Sequence, residues 1–209
     1  MRPALVPRLP LPLHWRVRLV AEEVLSDSWY LLKKTTFDYL RRDGQWQRQV
    51  RETYDRGNGA ALLLFNAQKG TVLLTRQFRY PAFVNGCSEG LMVEVCAGLL
   101  DGDDPEACIR REAEEETGYR VRQARKLFEA YMSPGSVTEK LHFFAAEVYD
   151  DDRVGPGGGE FHEGEDIEVL EVHLSEALRQ VASGAIEDGK TIMLLQHAAL
   201  VGLEALRVP

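Results

Sequence analysis

The 209-residue chain has few cysteines and no excess of basic residues, and both shortages exclude classes of protein. Its cysteines, Cys87, Cys96 and Cys108, form no CxxC pair and no zinc-ligand spacing, which argues against a disulfide scaffold or a zinc module. With 25 basic and 33 acidic residues, the formal net charge of −8 argues against a nucleic-acid partner, because Lys and Arg bind phosphate backbones. The chain also lacks an apolar run long enough to span a bilayer, so we expect no membrane partner.

The first residues, MRPALVPRLPLPL, have the apolar character of a signal peptide but lack its other features. Prolines interrupt the apolar stretch, and no small-residue cleavage site follows it. We therefore predict a disordered tail over residues 1–14. Because the odd number of cysteines fits reduced thiols, we also expect a cytoplasmic protein.

Residues 15–56 have the pattern of short, half-polar strands. Apolar, aromatic and β-branched residues alternate with charged ones in WRVRLVAEEVL, SWYLLKKTTFDYL and QWQRQVRETYD, and RRDG supplies a turn between the last two. This pattern predicts a small antiparallel β domain. Since three strands with few apolar positions are marginally stable alone, we expect them to pack on another surface.

Residues 57–209 combine strand and helix signals, which predicts a domain of the α/β (α+β) type. ALLLFN and TVLLTRQF, separated by AQKG, predict a hairpin, and further strands are predicted at 91–97, 126–132 and 141–149. Helices are predicted at 105–117, in SEALRQVASG with Ser175 as N-cap and Gly184 as its end, and from Thr191 to about residue 206.

The acidic segment from Gly98 to Tyr119 carries the clearest chemical signal. Asp104 can cap a helix that begins at Pro105, and Gly118 can end it. Residues three and four apart share a helix face, so three carboxylates gather in one place: Glu112, Glu115 and Glu116. Like charges so close repel one another unless a cation binds, and hard oxygen ligands suit Mg²⁺.

A solvated acidic helix face is the alternative interpretation, and the glutamates taken alone favour it. The surrounding order favours a metal site instead. A glycine-containing turn precedes the capped start, Arg111 stands directly before the first glutamate of the cluster, and Thr-Gly-Tyr closes the segment.

With these features the segment resembles the signature of the Nudix hydrolase family. That signature is Gly, five residues, Glu, seven residues, then Arg-Glu-apolar-any-Glu-Glu-any-Gly-apolar, and REAEEETGY matches its second half fully. In the first half, Gly98 is followed at the right distance by Asp104 instead of Glu, and one residue is missing before Arg111. We expect the missing residue to tighten the loop before the helix.

Other segments resemble the GDP-mannose pyrophosphatase branch of that family: RETYDRGNGAALLLFN, LLTRQFRYPAFVNG, EVCAGLLDGDDPE, KLFEAYMSPGSVTEKLHFF, GEDIEVLEV and EDGKTIMLL. The resemblance implies an α/β/α sandwich with a mixed sheet behind the small β domain. It also implies hydrolysis of the diphosphate bond of a nucleotide-sugar, with GDP-mannose giving GMP and mannose 1-phosphate. ADP-ribose is the alternative substrate. A nucleotide-sugar sensor without turnover is the alternative from another class, which the clustered carboxylates disfavour.

The resemblance also implies a set of metal ligands. Glu112, Glu116 and the main-chain carbonyl of Ala97 would hold Mg²⁺, for which Mn²⁺ could substitute, and Glu115 would share or bridge a second ion. The loop 155–168 contains three consecutive glycines, so we expect it to swing. Its GEDIE end implies that Glu165 binds a metal or positions and deprotonates the attacking water. Glu163 is the rival, because the loop is two residues longer than expected, and an ordinary surface loop is the alternative to any role.

Three positions of this domain are candidates for contact with the rest of the substrate: Arg79, Glu139 and Lys190. The guanidinium of Arg79 suits a diphosphate oxygen, whereas Arg76 is interpreted as structural. Glu139 and Lys190 match binding positions of the branch, and Lys190 could favour a sugar hydroxyl or a phosphate.

The resemblance further implies a homodimer in which the N-terminal domain is exchanged between subunits. Arg51 and Glu52 match positions that reach the nucleotide across the dimer. Trp29 matches an aromatic residue that can stack on the base, and core packing of its ring is an equally good interpretation.

Overall fold

The structure, a computed structural model, describes residues 13–208, which divide into two compact units. One unit extends to Arg56 and takes in Ser133–Thr138, and the other contains Gly57–Met132 and the chain from Glu139 onward. Residues 1–12 of the predicted tail lie outside the described residues, and a short 3₁₀ turn spans Leu13–Arg16. Within the described range, no helix combines the length and the apolar character that a membrane crossing requires.

The N-terminal unit is a three-stranded antiparallel sheet, as predicted. Its strands are β1 (Val17–Asp27), β2 (Leu31–Leu40) and β3 (Trp46–Asp55), in that order across the sheet. The RRDG turn is confirmed, because the Gly44 N–H donates to the Arg41 carbonyl over 3.1 Å. Gly44 adopts φ +81°, a left-handed conformation that other residues adopt at a cost. The segment Ser133–Thr138 joins the end of β3, where the Tyr54 N–H donates to the Ser136 carbonyl over 2.8 Å.

This sheet buries little apolar surface by itself. Every residue of β1 is exposed, and Leu19 and Val24 keep 67% and 56% of their surface. A three-stranded sheet without a buried face is marginally stable in water, so the pattern favours a partner surface.

The second unit is built on one mixed sheet. Its strands are β4 (Gly59–Asn66), β5 (Thr71–Phe78), β6 (Leu91–Glu94), β7 (Cys96–Leu99), β8 (Arg125–Tyr131), β9 (Lys140–Glu147) and β10 (Glu168–His173). The main order is β10-β5-β4-β9-β8, with β6 paired to β5 and β7 paired to β4. The β4–β9 pair is parallel and the other pairs are antiparallel, so the predicted mixed sheet is confirmed.

Helices cover both faces of this sheet. They are α1 (Tyr80–Val84), α2 (Pro105–Glu112, continued by a π-helical turn over Ala113–Thr117), α3 (Leu174–Ser183) and α4 (Gly189–Val201). Alternate residues of β4 point to opposite faces. Ala61, Leu63 and Phe65 join the core with α3 and α4, whereas Ala60, Leu62 and Leu64 join the core with α2. This is the predicted α/β/α sandwich.

A fork between β4 and β5 prepares the site. The two strands pair only near their hairpin, from Leu64 opposite Leu73 to Asn66 opposite Thr71, and then diverge. In the space between them, β6 pairs with β5 and β7 pairs with β4. At the break between them, the Val95 N–H leaves the sheet and donates to the Thr191 hydroxyl of α4 over 2.8 Å.

Three sequence-based predictions of secondary structure are wrong in detail. The single strand at 91–97 is two strands, because the fork directs its halves to different neighbours. The N-cap of α3 is His173 instead of Ser175, since β10 passes into the helix without a loop. The last helix begins at Gly189 and ends at Val201, where Gly202 (φ +84°) separates it from a 3₁₀ turn at Leu203–Leu206.

Candidate active site

The acidic helix α2 begins as predicted and then widens. The Asp104 carboxylate accepts hydrogen bonds from the N–H groups of Glu106 and Ala107, both over 3.1 Å, which satisfies donors at the start of the helix. The loop before the helix turns at Asp101 and Gly102, which adopt φ +47° and φ +94°. A π-helical turn replaces the last α-helical turn, and such turns are frequent at functional sites.

Glu116 is the most constrained carboxylate of the helix. Only 2% of its surface is exposed, and its Oε2 atom has no hydrogen-bond partner among the described residues. Burial raises the pKa of Glu116 to about 8; the Cys96 thiol offsets part of this, and the charges of Glu165 and Glu112 add to it. A buried, unpartnered carboxylate oxygen is unfavourable unless a cation approaches it.

Glu112 lies against strand β7, beside the predicted carbonyl ligand. A side-chain carbon on Gly98 would come within 2.5 Å of Glu112 Oε1, so only glycine lets the Glu112 carboxylate lie on this strand. Ala97, the neighbour of Gly98, pairs with Ala61 in the centre of the sheet. The strand and the helix therefore bring the Glu112 carboxylate next to the main chain of residues 97–98.

Glu115 faces a cation of its own helix. Arg111 Nε lies 3.9 Å from a Glu115 oxygen, and Arg111 Nη2 lies 3.5 Å from Glu112 Oε1. Arg111 also donates to Asp103 over 2.7 Å. Among the predicted acids, Glu112, Glu116 and Glu165 interact electrostatically, whereas Glu115 stands beside Arg111 at the edge of this group.

The glycine-rich loop is joined to the end of the same helix. The N–H groups of Gly158 and Gly159 donate to the carbonyls of Glu116 (2.9 Å) and Glu115 (3.1 Å), and the Val154 N–H donates to that of Gly118 (2.8 Å). These bonds satisfy carbonyls that a helix end leaves without partners. The glycine run, which is predicted to let the loop swing, is hydrogen-bonded to the end of the helix in this structure.

Glu165 lies in the same loop and packs against Gly159. Its carboxylate accepts a hydrogen bond from the Glu160 N–H over 2.9 Å. Gly159 adopts φ +76°, and a side-chain carbon there would lie 2.8 Å from Glu165 Cβ. The rival residue Glu163 ends a short 3₁₀ turn at Phe161–Glu163.

Arg79 lies at the end of β5 and is held by a buried acid, Glu94. Arg79 Nε and Nη2 donate to the two Glu94 oxygens over 2.8 and 3.1 Å. Lys190 forms an ion pair with the same carboxylate and a second one with Asp188, over 3.0 Å. Arg76 instead pairs with Glu168 on the neighbouring strand β10, in line with the structural interpretation.

The remaining predicted residues occupy less constrained positions. Glu139 is half-buried just before β9 in the second unit. Arg51 and Glu52 are exposed on β3, and Trp29, between β1 and β2, keeps 80% of its surface. The Trp29 ring meets Tyr30 edge-on at 6.2 Å, so the core-packing interpretation does not hold within this unit.

The side chains present fit a divalent cation. Among the side chains that the structure describes, no three of His, Cys, Asp or Glu already converge on one point. However, the unpartnered oxygen of Glu116 and the space that Gly98 leaves for Glu112 place two hard oxygen donors beside a strand backbone. Few protein ligands, main-chain oxygen and water are what Mg²⁺ accepts.

Glu94 is the site residue that the sequence analysis missed. It is the one charged residue in the apolar stretch LMVEVCA, and only 3% of its surface is exposed. An isolated charge in a buried strand is a usable signal, because such a group needs partners. The partners, Arg79 and Lys190, are distant in sequence and could not be paired without the fold.

Comparison with known proteins identifies the class. Residues 55–195 match the NUDIX domain, and residues 16–54 match the domain described as GDP-mannose pyrophosphatase NudK N-terminal domain. The chain belongs to the Nudix hydrolase family and is a hydrolase, as predicted. Members of this family generally use a divalent metal.

The similar curated proteins narrow the comparison to one branch. A GDP-mannose pyrophosphatase of Pectobacterium atrosepticum is 58% identical over 186 residues, covering 89% of this chain and 95% of the relative. A GDP-mannose pyrophosphatase of Yersinia enterocolitica is 55% identical over 188 residues, covering 90% and 97%. The predicted branch is therefore confirmed.

A solved structure supports the fold. The crystal structure of an ADP compounds hydrolase matches with a TM-score of 0.69 at 16% identity, and the match covers 90% of this chain and 96% of the other.

Proposed function

We propose that this protein is a Mg²⁺-dependent pyrophosphatase that splits GDP-mannose into GMP and mannose 1-phosphate. The observation that carries the proposal is the buried Glu116 carboxylate, unpartnered at Oε2, beside Glu112 and within the electrostatic reach of Arg79. A buried carboxylate that needs a cation, a second carboxylate beside it and a guanidinium that suits phosphate form a site for a metal-bound diphosphate. The identity of 55–58% with proteins named GDP-mannose pyrophosphatase supports the choice of substrate.

Each side chain then has a role in the reaction. Glu112, Glu116 and the Ala97 carbonyl would hold the metal, with Glu115 as a further ligand at the edge. A Mg²⁺ ion held there would neutralise charge on the diphosphate and would lower the pKa of a nearby water molecule. Arg79 binds a diphosphate oxygen, and Lys190 and Glu139 bind neighbouring substrate groups.

Glu165 positions and deprotonates the attacking water in this proposal. Its carboxylate sits on the loop that the Gly158 and Gly159 N–H groups attach to the metal-binding helix. A carboxylate held near the metal ligands can accept a proton when its hydrogen bond from the Glu160 N–H opens. Phosphoryl transfer depends mainly on this positioning and on charge neutralisation.

We also propose that the protein acts as a cytoplasmic homodimer. The exposed apolar residues of β1 require a partner surface, and a second copy supplies one. In this dimer the N-terminal domain, residues 15–56, is exchanged, so that Trp29, Arg51 and Glu52 serve the site of the partner. The described cysteines form no disulfide, which fits a reducing compartment. Sedimentation at assay concentration should show a dimer, and a fully active monomer would contradict the exchange.

A substrate panel tests the proposal. The protein is incubated with Mg²⁺ and GDP-mannose, ADP-ribose, UDP-glucose or a diadenosine polyphosphate, beside the Glu116→Gln variant. We expect the highest kcat/KM for GDP-mannose and no turnover by the variant. Faster cleavage of ADP-ribose would keep the chemistry but change the substrate, and binding without turnover by the wild type would favour a sensor.

A further inference from the structure

We propose that Glu94 is a positioning residue that orients Arg79 and Lys190 toward the diphosphate. The proposal rests on the function proposed above and names a residue that acts through two others. Glu94 lies at the end of β6, at the fork between β4 and β5.

The geometry of the Arg79 contact fixes the direction of its guanidinium. Glu94 receives Nε and Nη2 side-on, so the plane of the guanidinium is set and both Nη1 hydrogens point away from Glu94. The Glu94 side chain is 4% exposed whereas that of Arg79 is 43% exposed. The Glu94 carboxylate is therefore buried, whereas the Nη1 group of Arg79 lies on the side that faces away from it.

Lys190 is held by the same carboxylate from the other side. It pairs with Glu94 and with Asp188, and its side chain is 13% exposed. Burial alone would lower the pKa of Lys190, but the two carboxylates outweigh it and raise that pKa. Both cations therefore stay charged, and one acid sets the spacing between them.

Hydrogen bonds at the break between β6 and β7 hold the main chain at Glu94 in place. The Thr191 hydroxyl accepts from the Val95 N–H over 2.8 Å and donates to Asp188 over 2.6 Å. The Thr75 hydroxyl donates to the Glu94 carbonyl over 3.3 Å. These contacts fix the main chain from which the Glu94 side chain extends, as a residue that positions others requires.

The cluster also lies beside the proposed metal ligands. Glu94 ends β6 and lies three residues before Ala97 of β7, the proposed carbonyl ligand, and Arg79 lies within electrostatic reach of Glu116. A diphosphate oxygen bound by Arg79 would therefore be close to a metal held by Glu116.

A double-mutant cycle tests this role. Glu94→Gln is expected to lower kcat/KM at least 30-fold for the panel substrate that the wild type cleaves fastest. In the Arg79→Met/Lys190→Met background, Glu94→Gln should lower kcat/KM less than 3-fold further, because neither cation remains for Glu94 to orient. An equal loss in both backgrounds would overturn the proposal.

The matched control is Glu147→Gln. Glu147 also accepts two hydrogen bonds from one arginine, Arg207, both over 2.7 Å, and it lies at the other end of the sheet. We expect this variant to lower Tm while kcat and KM change less than 2-fold. If Glu94→Gln behaves in the same way, Glu94 is only structural and the proposal fails.

Two further measurements keep the test decisive. Glu94→Asp retains the charge but withdraws the carboxylate by one carbon, so it should fold and still lower kcat/KM about 10-fold. Binding of methylenediphosphonate with Mg²⁺ should weaken at least 10-fold in both Glu94 variants. If the wild type cleaves no panel substrate, the proposed function fails, and this binding measurement still decides the role of Glu94: unchanged affinity in both variants would overturn it.

Discussion

At the scale of single residues, the proposed metal site depends on the buried carboxylate of Glu116. Its pKa of about 8 means that ionisation is disfavoured by the fold unless a cation is bound. The negative charges of Glu112 and Glu165 also repel an ionised Glu116 carboxylate. Metal binding offsets the cost of ionising Glu116 in the folded protein, so the stability of the fold depends on whether a metal is bound.

Glu116 should make the stability of the metal-free protein depend on pH. Because its folded pKa lies above its unfolded value, its favourable contribution is complete below about pH 4.5 and is lost as the pH rises through about 8. The Glu116→Gln variant lacks this titration. Relative to the variant, the wild type should lose stability between pH 5 and pH 9, on the order of 4 kcal/mol in total.

Urea unfolding in EDTA at pH 5, 7 and 9 measures this difference. Mg²⁺ added at pH 9 should stabilise the wild type more than the variant, since a ligand of the folded state shifts unfolding by mass action. A stability difference that is constant with pH would contradict the assignment of Glu116.

At the scale of elements, the sequence could predict most strands and helices but not how they meet. The hairpin AQKG, the capped start at Asp104 and the end at Gly118 follow from local turn and capping chemistry, and the structure confirms them. The fork was missed because it depends on which neighbour each half of the stretch 91–97 finds. The same long-range pairing hid Glu94 and the hydrogen bonds of the glycine run.

The glycine run offers a test of how loop and helix are joined. A methyl group on Gly159 would meet Glu165 Cβ at 2.8 Å, so Gly159→Ala should displace the Glu165 carboxylate and lower kcat about 10-fold or more. Gly164→Ala is the matched control, because Gly164 has a similar φ of +78° but open space around it.

The two alanine variants separate backbone strain from steric displacement. Both should lose roughly 1–2 kcal/mol of stability from the left-handed backbone. Only Gly159→Ala should lose activity in steady-state kinetics. Equal kcat values for the two variants would show that the contact between Gly159 and Glu165 has no part in the reaction.

At the scale of the whole molecule, the family and the α/β/α sandwich followed from the resemblance of the signature segment and are confirmed. What the N-terminal sheet packs against could not be predicted from strand patterns in the same way. Its exposed apolar residues favour a partner surface, but strand patterns do not specify the partner. The substrate likewise depends on a few contacts that no pattern of hydrophobic residues encodes.

The most direct test of the central claim is the hydrolysis of GDP-mannose with Mg²⁺ in ¹⁸O-labelled water. Attack of water on phosphorus predicts GMP and mannose 1-phosphate as products, with the label in the phosphate of one of them and none at the sugar carbon. GDP and labelled mannose would mean cleavage at the sugar and would contradict the diphosphate site described for Glu112, Glu116 and Arg79.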